Sequence, residues 1–371
     1  MSARVLASGP HAHSQASVSR VMMLVALALT PATAFGFYQF GWPAVFLFLV
    51  TITAALGFEA LCLKAAGRPV GRFLLDGSAL LAGWLVAITL PPWAPWWLGV
   101  LGAGIAIVIA KHVYGGLGQN LFNPAMVARV MLLISFPVQM TAWVLPPPMG
   151  APGAPGILDG LAITFLGRSP AEAGFDTVSA ATPISHMKTE LSRGLTLEEI
   201  SAATPDLMDL ALGAMPGSMG ETSAALLLLG GLALIAMRLI SWRIPVAVLG
   251  TTALLALITH WIDPSRYPSA AFHLTSGSLM LCAFFIATDY VTSPSTALGQ
   301  LIYGASIGAL IFIIRSWAAF PEGVGFAVLL LNACTPLLDH YIRPRVFGRD
   351  RRGKPLDPTP TPRGAARRAG P

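Results

Sequence analysis

Residues 43–63 read PAVFLFLVTITAALGFEALCL and contain a single charged side chain, Glu59. At 1.5 Å rise per residue, a helix of about 20 apolar residues spans the roughly 30 Å hydrocarbon core of a bilayer. The chain as a whole is 55% apolar and 11% charged, with a mean hydropathy of +0.69, whereas soluble domains carry about 25% charge. This composition predicts a membrane protein. It excludes a water-soluble enzyme and a nucleic-acid binder, despite the net charge of +6.

Nine further apolar runs predict an all-α polytopic membrane protein with about ten transmembrane helices. Lipid offers no hydrogen bonds to the backbone, so each run has to satisfy its own as a helix. The predicted spans are 21–40, 43–63, 74–91, 96–114, 123–144, 222–241, 244–262, 271–288, 298–316 and 323–342.

Lysine and arginine near the helix ends predict the orientation, because cytoplasmic connections are enriched in them. With a cytoplasmic N-terminus, the short outer connections hold only Arg266 and Arg315. The inner connections then hold Lys64, Arg68, Arg72, Lys111, Arg238 and Arg243. Both termini are therefore predicted in the cytoplasm of a Gram-negative cell, with a multi-pass chain in its inner membrane and the long polar connection in the periplasm.

Five predicted spans precede the long connection and five follow it, so the second half is expected to be inverted relative to the first. A short match between SALLA (78–82) and TALLA (252–256) gives weak support. The predicted parts are a cytoplasmic N-terminal tail (1–20), a first five-helix repeat (21–144), a periplasmic loop (145–221), a second five-helix repeat (222–342) and a basic, disordered cytoplasmic tail (343–371).

Two polar segments interrupt the apolar pattern, GGLGQNLFNPA (115–125) and ATDYVTSP (287–294). Inverted repeats commonly place a site at the midplane between broken helices. Two interpretations remain open: ordinary loops with helix caps, such as Asn123 before Pro124, or the lining of a cavity. The candidate lining residues are Asn120, Asn123, Arg129, Asp289 and Thr292. The sequence predicts no catalytic residue and no metal site.

The long loop contains DTVSAATP (176–183). By residue chemistry alone this is a polar turn, because Ser, Thr and Asp bond their own backbone and Pro183 favours an extended Thr182. A threonine hydroxyl is a poor nucleophile without a base.

The motif Asp176-x-x-Ser179-x-Ala181-Thr182 resembles the flavinylation motif of the Rnf and Nqr respiratory complexes. GGLGQNLFNPA, ATDYVTSP and NACTPLLDH (332–340) are also similar to that family, and the resemblance covers about residues 20–345. The chain most resembles the D-type subunits (RnfD) of Rnf ion-translocating oxidoreductase complexes, within the NqrB/RnfD family. The homologous NqrB subunits are the main alternative; they usually have glycine where this chain has Ala180, and they carry a longer N-terminal extension.

The resemblance implies FMN joined through its phosphate to Thr182, with Asp176, Ser179 and Ala181 as motif residues for a flavin transferase. It implies a redox-driven translocase subunit that is not catalytic in isolation. Electrons would pass between ferredoxin- and NAD-linked partners, coupled to Na⁺ or H⁺ movement. The implied partners are the other Rnf subunits (A, B, C, E and G types), the transferase and membrane lipid, but no nucleic acid. The family is thought to share the urea-transporter architecture, so a solute channel is a second hypothesis.

The remaining polar residues have simpler interpretations. Arg129 is expected to face the bundle and to contact a flavin phosphate or to pair with Asp289 or Asp339. Lys188 and Arg193 are interpreted as solvated charges. Residues near span ends are interpreted as snorkelling or interfacial; they are Lys111, His112, His260 and His273, with Trp93, Trp96 and Trp97 forming an aromatic belt.

Overall fold

A computed structural model describes residues 17–145, 147–168, 181–201, 205–318, 320 and 322–343. Within these ranges all regular elements are helical, in agreement with the predicted class of polytopic membrane protein. The helices are α1 (Val18–Phe40), α2 (Trp42–Ala65), α3 (Val70–Leu74), α4 (Ser78–Thr89), α5 (Trp96–Gly104), α6 (Pro124–Ser135), α7 (Pro137–Met140), α8 (Ile157–Leu166), α9 (Pro183–Ser192), α10 (Leu197–Ser201), α11 (Leu207–Leu212), α12 (Ala224–Ala236), α13 (Arg243–Ile262), α14 (Ala270–Thr275), α15 (Leu279–Leu281), α16 (Ala297–Trp317) and α17 (Val324–Tyr341). Ile105–His112 continues α5 as a π-helix, and Cys282–Ile286 continues α15 in the same way.

Five of the described helices are long and apolar enough to cross a membrane: α1, α2, α13, α16 and α17. The other predicted runs also contain helices, but shorter ones. At 1.5 Å per residue, helices of 12 or 13 residues such as α4, α6 and α12 reach only about 18–20 Å, less than the hydrocarbon core. The bundle therefore combines long helices with half-length helices that end inside it.

Two predicted spans are interrupted. The run 123–144 forms α6 only as far as Ser135, because Pro137 disfavours helical geometry in the residue before it. The run 271–288 breaks between α14 and α15, where Gly277 has φ +69°, a conformation that residues with a side chain rarely adopt.

Close backbone contact between α13 and α16 depends on glycine. A methyl group on Gly308 would collide with the carbonyl oxygen of Val248, and one on Gly304 would lie 2.9 Å from that of Ile244. The Thr252 hydroxyl donates a hydrogen bond across the same interface to the Gly308 carbonyl at 3.1 Å. Small residues and interhelical hydrogen bonds are what hold helices together in lipid.

We expect Gly308→Ala to lower the free energy of unfolding by about 1–3 kcal/mol, because the added methyl forces the two backbones apart. Gly250→Ala on α13 is the matched control, since nothing lies within 4 Å of its added methyl. Thermal unfolding in detergent should show a lower midpoint only for the first variant. Equal midpoints in the two variants would contradict this account of the interface.

The positions of the short sequence match do not support a repeat. Ser78 begins α4, whereas Thr252 lies in the middle of α13. A better correspondence is a Gly-Ser turn before α4 and before α15, with Gly77 at φ +80° and Gly277 at φ +69°. These turns pair the third predicted run with the eighth, which is the pairing that a five-plus-five inversion requires.

The described parts of the long connection form helices α8 to α11, where the sequence predicted a polar loop. The hydroxyl of Thr164 in α8 donates to the Pro43 carbonyl at 3.4 Å, so α8 packs along the start of α2. Helices α9, α10 and α11 form a separate apolar cluster with α14. Its members are Ile184, Met187, Ile200, Leu210, Met215 and Phe272. The cluster packs α9 against α14 at one end of the bundle.

Candidate functional site

Thr182 occupies the N-cap position of α9. Its Oγ1 accepts a hydrogen bond from the backbone N–H of Ser185 at 3.3 Å, and Pro183 is the first helical residue. Threonine at the N-cap followed by proline is a favoured helix start, so the local sequence determines this geometry. The residue is only 3% exposed, whereas Ala181 before it is exposed.

The backbone around Thr182 suits a phosphate group. The unpaired N–H groups and the dipole give a helix N-terminus partial positive charge, which favours anions. A phosphodiester on Thr182 Oγ1 would place its charge at this end of α9, so the residues present fit the group that the motif implies. Asp176 and Ser179, the predicted recognition residues, lie outside the described residues.

A cavity of about 510 Å³ lies beside α9. Ile184 and Met187 of α9 form one wall, and His273, Arg315 and Trp317 contribute from α14 and α16. The helix that begins at the candidate flavin threonine therefore also borders a cavity large enough for a small molecule.

Lys188 is not the solvated charge that the sequence suggested. Its ammonium donates hydrogen bonds to the carbonyls of Ile314 (3.1 Å), Ala318 and Phe320 (3.2 Å), at the C-terminal end of α16. Cations are stabilised at this end of a helix by the exposed carbonyls. Partial burial lowers the pKa of Lys188 from its ordinary value. Arg193 does match its interpretation: it is exposed and pairs with Glu190 at 2.7 Å.

We expect Lys188→Met to loosen α9 from the bundle, because three carbonyls lose their donor while the apolar stem is kept. Amide hydrogen exchange in residues 183–192 should accelerate, corresponding to about 1–3 kcal/mol of lost local stability. Arg193→Met at the exposed end of the same helix is the control and should leave exchange unchanged. Equal exchange rates in wild type and Lys188→Met would show that these bonds do not anchor α9.

Arg129 pairs with neither Asp289 nor Asp339. Its guanidinium lies 3.1 Å from the Glu221 carboxylate and also donates to the Thr89 carbonyl. The Glu221 carboxylate additionally accepts from the Ser218 hydroxyl at 2.9 Å. The partner is thus the last acidic residue of the long connection, and this buried pair ties the connection to α6.

The two aspartates have other partners. The Asp339 carboxylate accepts from both the backbone N–H (3.0 Å) and the hydroxyl (2.9 Å) of Ser295. The Asp289 carboxylate accepts from the Thr292 hydroxyl at 3.2 Å and from the Val291 N–H at 3.3 Å. Both acids therefore stabilise the turn that precedes α16.

A second cavity, of about 90 Å³, brings the two polar breaks together. Asn120 and Asn123 line it from the first segment and Asp289 from the second. Asn123 also caps α6, its side-chain oxygen accepting from two backbone N–H groups, so the cap and the cavity interpretations both hold for this residue. Arg129 and Thr292, the other candidate lining residues, do not line this cavity; Arg129 lines a smaller one of about 20 Å³.

Lys111 is buried rather than snorkelling at an interface. It is 3% exposed, and its Nζ lies 2.8 Å from both the Glu59 carboxylate and the Ser78 hydroxyl. His112 Nε2 is 3.0 Å from the same carboxylate. A buried charge in an apolar helix needs such a partner, and Lys111 also lines the 90 Å³ cavity.

Two other residues interpreted as interfacial are buried. His273 is 4% exposed, and Trp93 is 7% exposed with its indole N–H donating to the Phe40 carbonyl. Trp96 is 41% exposed, as expected of a belt residue. His260 is half-buried, with Nδ1 2.7 Å from the Tyr267 carbonyl.

A family model described as NQR2, RnfD, RnfE matches residues 5–348. The chain belongs to the NQR2, RnfD, RnfE family. Curated relatives match over 83–95% of the chain, and the three that follow are named as the D subunit of an ion-translocating oxidoreductase complex. The relative from Stutzerimonas stutzeri is 55% identical, covering 92% of this chain and 95% of the relative. The one from Halorhodospira halophila is 51% identical (95% and 97%), and the one from Rhodobacter capsulatus 56% identical (83% and 84%).

In this member of the NQR2, RnfD, RnfE family, the roles of several charged residues were not apparent from the sequence. Glu221 and Glu322 were not singled out, although each binds a buried arginine: Glu221 binds Arg129, and Glu322 binds Arg315 at 3.0 Å. The sequence showed only that each arginine is a lone charge in an apolar run. A lone charge indicates that a partner is needed, but not which residue provides it.

Proposed function

We propose that the chain is the D-type membrane subunit of an Rnf-type ion-translocating electron transport complex, carrying FMN covalently on Thr182. The observation that carries the proposal is the placement of Thr182, a motif threonine at the N-cap of α9, the helix that borders the 510 Å³ cavity. Family membership and the relatives' name support the complex. FMN, when attached, supplies exchange of single electrons between partner subunits; the protein supplies position and electrostatics.

The chain's own residues would hold the cofactor in place. The Thr182 oxygen provides the attachment point, and the N-terminus of α9 stabilises the phosphate charge. Lys188 fixes the same helix against α16. We propose that this redox subunit contributes to Na⁺ or H⁺ translocation within the assembled complex, with ferredoxin- and NAD-linked electron flow through its A, B, C, E and G partners.

We further propose ten spans in two inverted five-helix repeats, in a bacterial inner membrane. The helices found in all ten predicted runs and the paired Gly-Ser turns before α4 and α15 support this topology. The distribution of lysine and arginine favours cytoplasmic termini and a periplasmic α9. Cysteine labelling from the outside of intact cells should modify a cysteine introduced at Arg193, which is 67% exposed, but not one introduced at Arg343. The reverse pattern would invert the topology.

Co-expression with a flavin transferase tests the attachment directly. Mass spectrometry of the purified subunit should find the mass of FMN, less one water, on the peptide that contains Thr182. A bare peptide from a strain with an active transferase would remove the electron-carrier role. Solute flux through vesicles that contain this chain alone would favour the channel hypothesis instead.

A further inference from the structure

The wall of the 510 Å³ cavity combines aromatic and basic side chains. Tyr267, Phe272 and Trp317 contribute rings, while Lys188 and Arg315 contribute positive charge. Its volume falls within the roughly 300–1,000 Å³ range of small-molecule sites, which also pair apolar walls with a few polar groups. Most of its polar groups are already engaged. Lys188 donates to three carbonyls, and the two terminal nitrogens of Arg315 donate to backbone carbonyls and Glu322.

His273 lies in the same wall. Its side chain is buried, yet neither ring nitrogen has a hydrogen-bond partner among the described residues. The Nε of Arg315 is likewise buried and unpartnered within the described part of the chain. Native proteins bond nearly all buried polar atoms, so two such side chains in one cavity wall indicate a ligand with polar atoms along its edge. A neutral imidazole offers one donor and one acceptor.

The same cavity is bordered by the helix that would carry the flavin. Ile184, Met187 and Leu191 of α9 line it, and Thr182 caps that helix. A group attached to Thr182 through a flexible chain is therefore tethered at one end of this wall. The tether raises the effective concentration of the group near the cavity without any further contact.

We propose that this cavity holds the isoalloxazine ring of the flavin attached at Thr182, with His273 and Arg315 Nε hydrogen-bonding to its heteroatom edge. The inference rests on the proposed function. The ring is planar and aromatic, which suits walls of Tyr267 and Trp317. Its pyrimidine edge carries an N–H donor between carbonyl acceptors, so it can bond one His273 ring nitrogen, acting as donor or as acceptor, together with the Arg315 Nε–H.

The test compares three variants in the flavin-loaded protein: His273→Phe, which removes both ring nitrogens but keeps a planar ring; His273→Gln, which restores a donor and an acceptor; and His186→Phe as control. His186 lies on α9 but does not line the cavity. Fluorescence in a denaturing gel reports attachment. Iodide quenching of the native protein reports whether the ring is docked, and infrared carbonyl bands report its hydrogen bonds.

We expect all variants to carry the flavin. His273→Phe should lower the ratio of docked to undocked ring about fivefold, as expected for the loss of about one net hydrogen bond, and shift the carbonyl bands. His273→Gln should lie between His273→Phe and wild type, and His186→Phe should match wild type. If His273→Phe carries the flavin but shows the same iodide quenching and carbonyl bands as wild type, the proposed ring site is wrong while the proposed function stands. If His273→Phe does not assemble, His273→Leu, which also removes both ring nitrogens, takes its place, and wild-type quenching and bands in it lead to the same conclusion. An unlabelled wild-type chain overturns the proposed function as well.

Discussion

Thr182→Ala will yield a chain without covalent flavin, and the fluorescent band of the wild type will be absent from a denaturing gel. The loss is expected to be complete, because the phosphodiester needs a hydroxyl oxygen and alanine has none. Mass spectrometry of the same peptide checks the result. A fluorescent band that persists in Thr182→Ala would place the flavin on another residue.

Two controls separate the attachment from the helix cap. Alanine at this position also removes the N-cap bond to Ser185, worth about 1 kcal/mol, so the helix start is weakened as well. Thr182→Asn keeps a capping oxygen but has no hydroxyl, and it should be folded and dark. Thr189→Ala removes an exposed hydroxyl from the same helix and should be as fluorescent as wild type.

Arg129→Met should be the most destabilising of these substitutions, by about 3–5 kcal/mol, because it leaves the Glu221 carboxylate buried without its cation. That carboxylate is almost fully buried, with a side-chain exposure of 1%. Thermal unfolding in detergent should show a large drop in the midpoint, or the protein should fail to accumulate in the membrane.

The double variant Arg129→Met, Glu221→Gln tests the cause. Neutralising the carboxylate removes the unpaired charge, so the double variant should be more stable than Arg129→Met alone. Arg193→Met breaks an ion pair whose arginine is 67% exposed and should change stability by no more than about 1 kcal/mol. If the double variant is no more stable than Arg129→Met, Arg129 acts through packing rather than charge.

The helical membrane class could be predicted because lipid leaves an apolar chain few alternatives. The lengths of the helices were harder to predict. The run 123–144 stays apolar past Ser135, but hydropathy does not distinguish a helix from an apolar segment covered by other parts of the protein. Pro137 was the usable signal. The glycine at position 277 was a similar signal, since it allowed the backbone conformation at which the eighth run breaks.

In the candidate site, features that depend on local sequence could be predicted, whereas contacts between distant parts of the chain could not. Thr182 at a helix start follows from the local Thr-Pro pair, and the meeting of Asn120, Asn123 and Asp289 at one cavity follows from pairing the two breaks. The partner of Arg129 could not be predicted, because Glu221 is 92 residues away in the chain. His273 was assigned to an interface, since local sequence does not show that Phe312 of α16 packs against its ring.

The burial of Thr182 has a consequence for biogenesis. A transferase working in trans needs its acceptor hydroxyl in solvent, and Thr182, at 3% exposure, is shielded once α9 packs onto the bundle. If Thr182 carries the flavin, its attachment therefore competes in time with closure of the surrounding chain. Loosening α9, as Lys188→Met should do, would then give the transferase longer access to the hydroxyl.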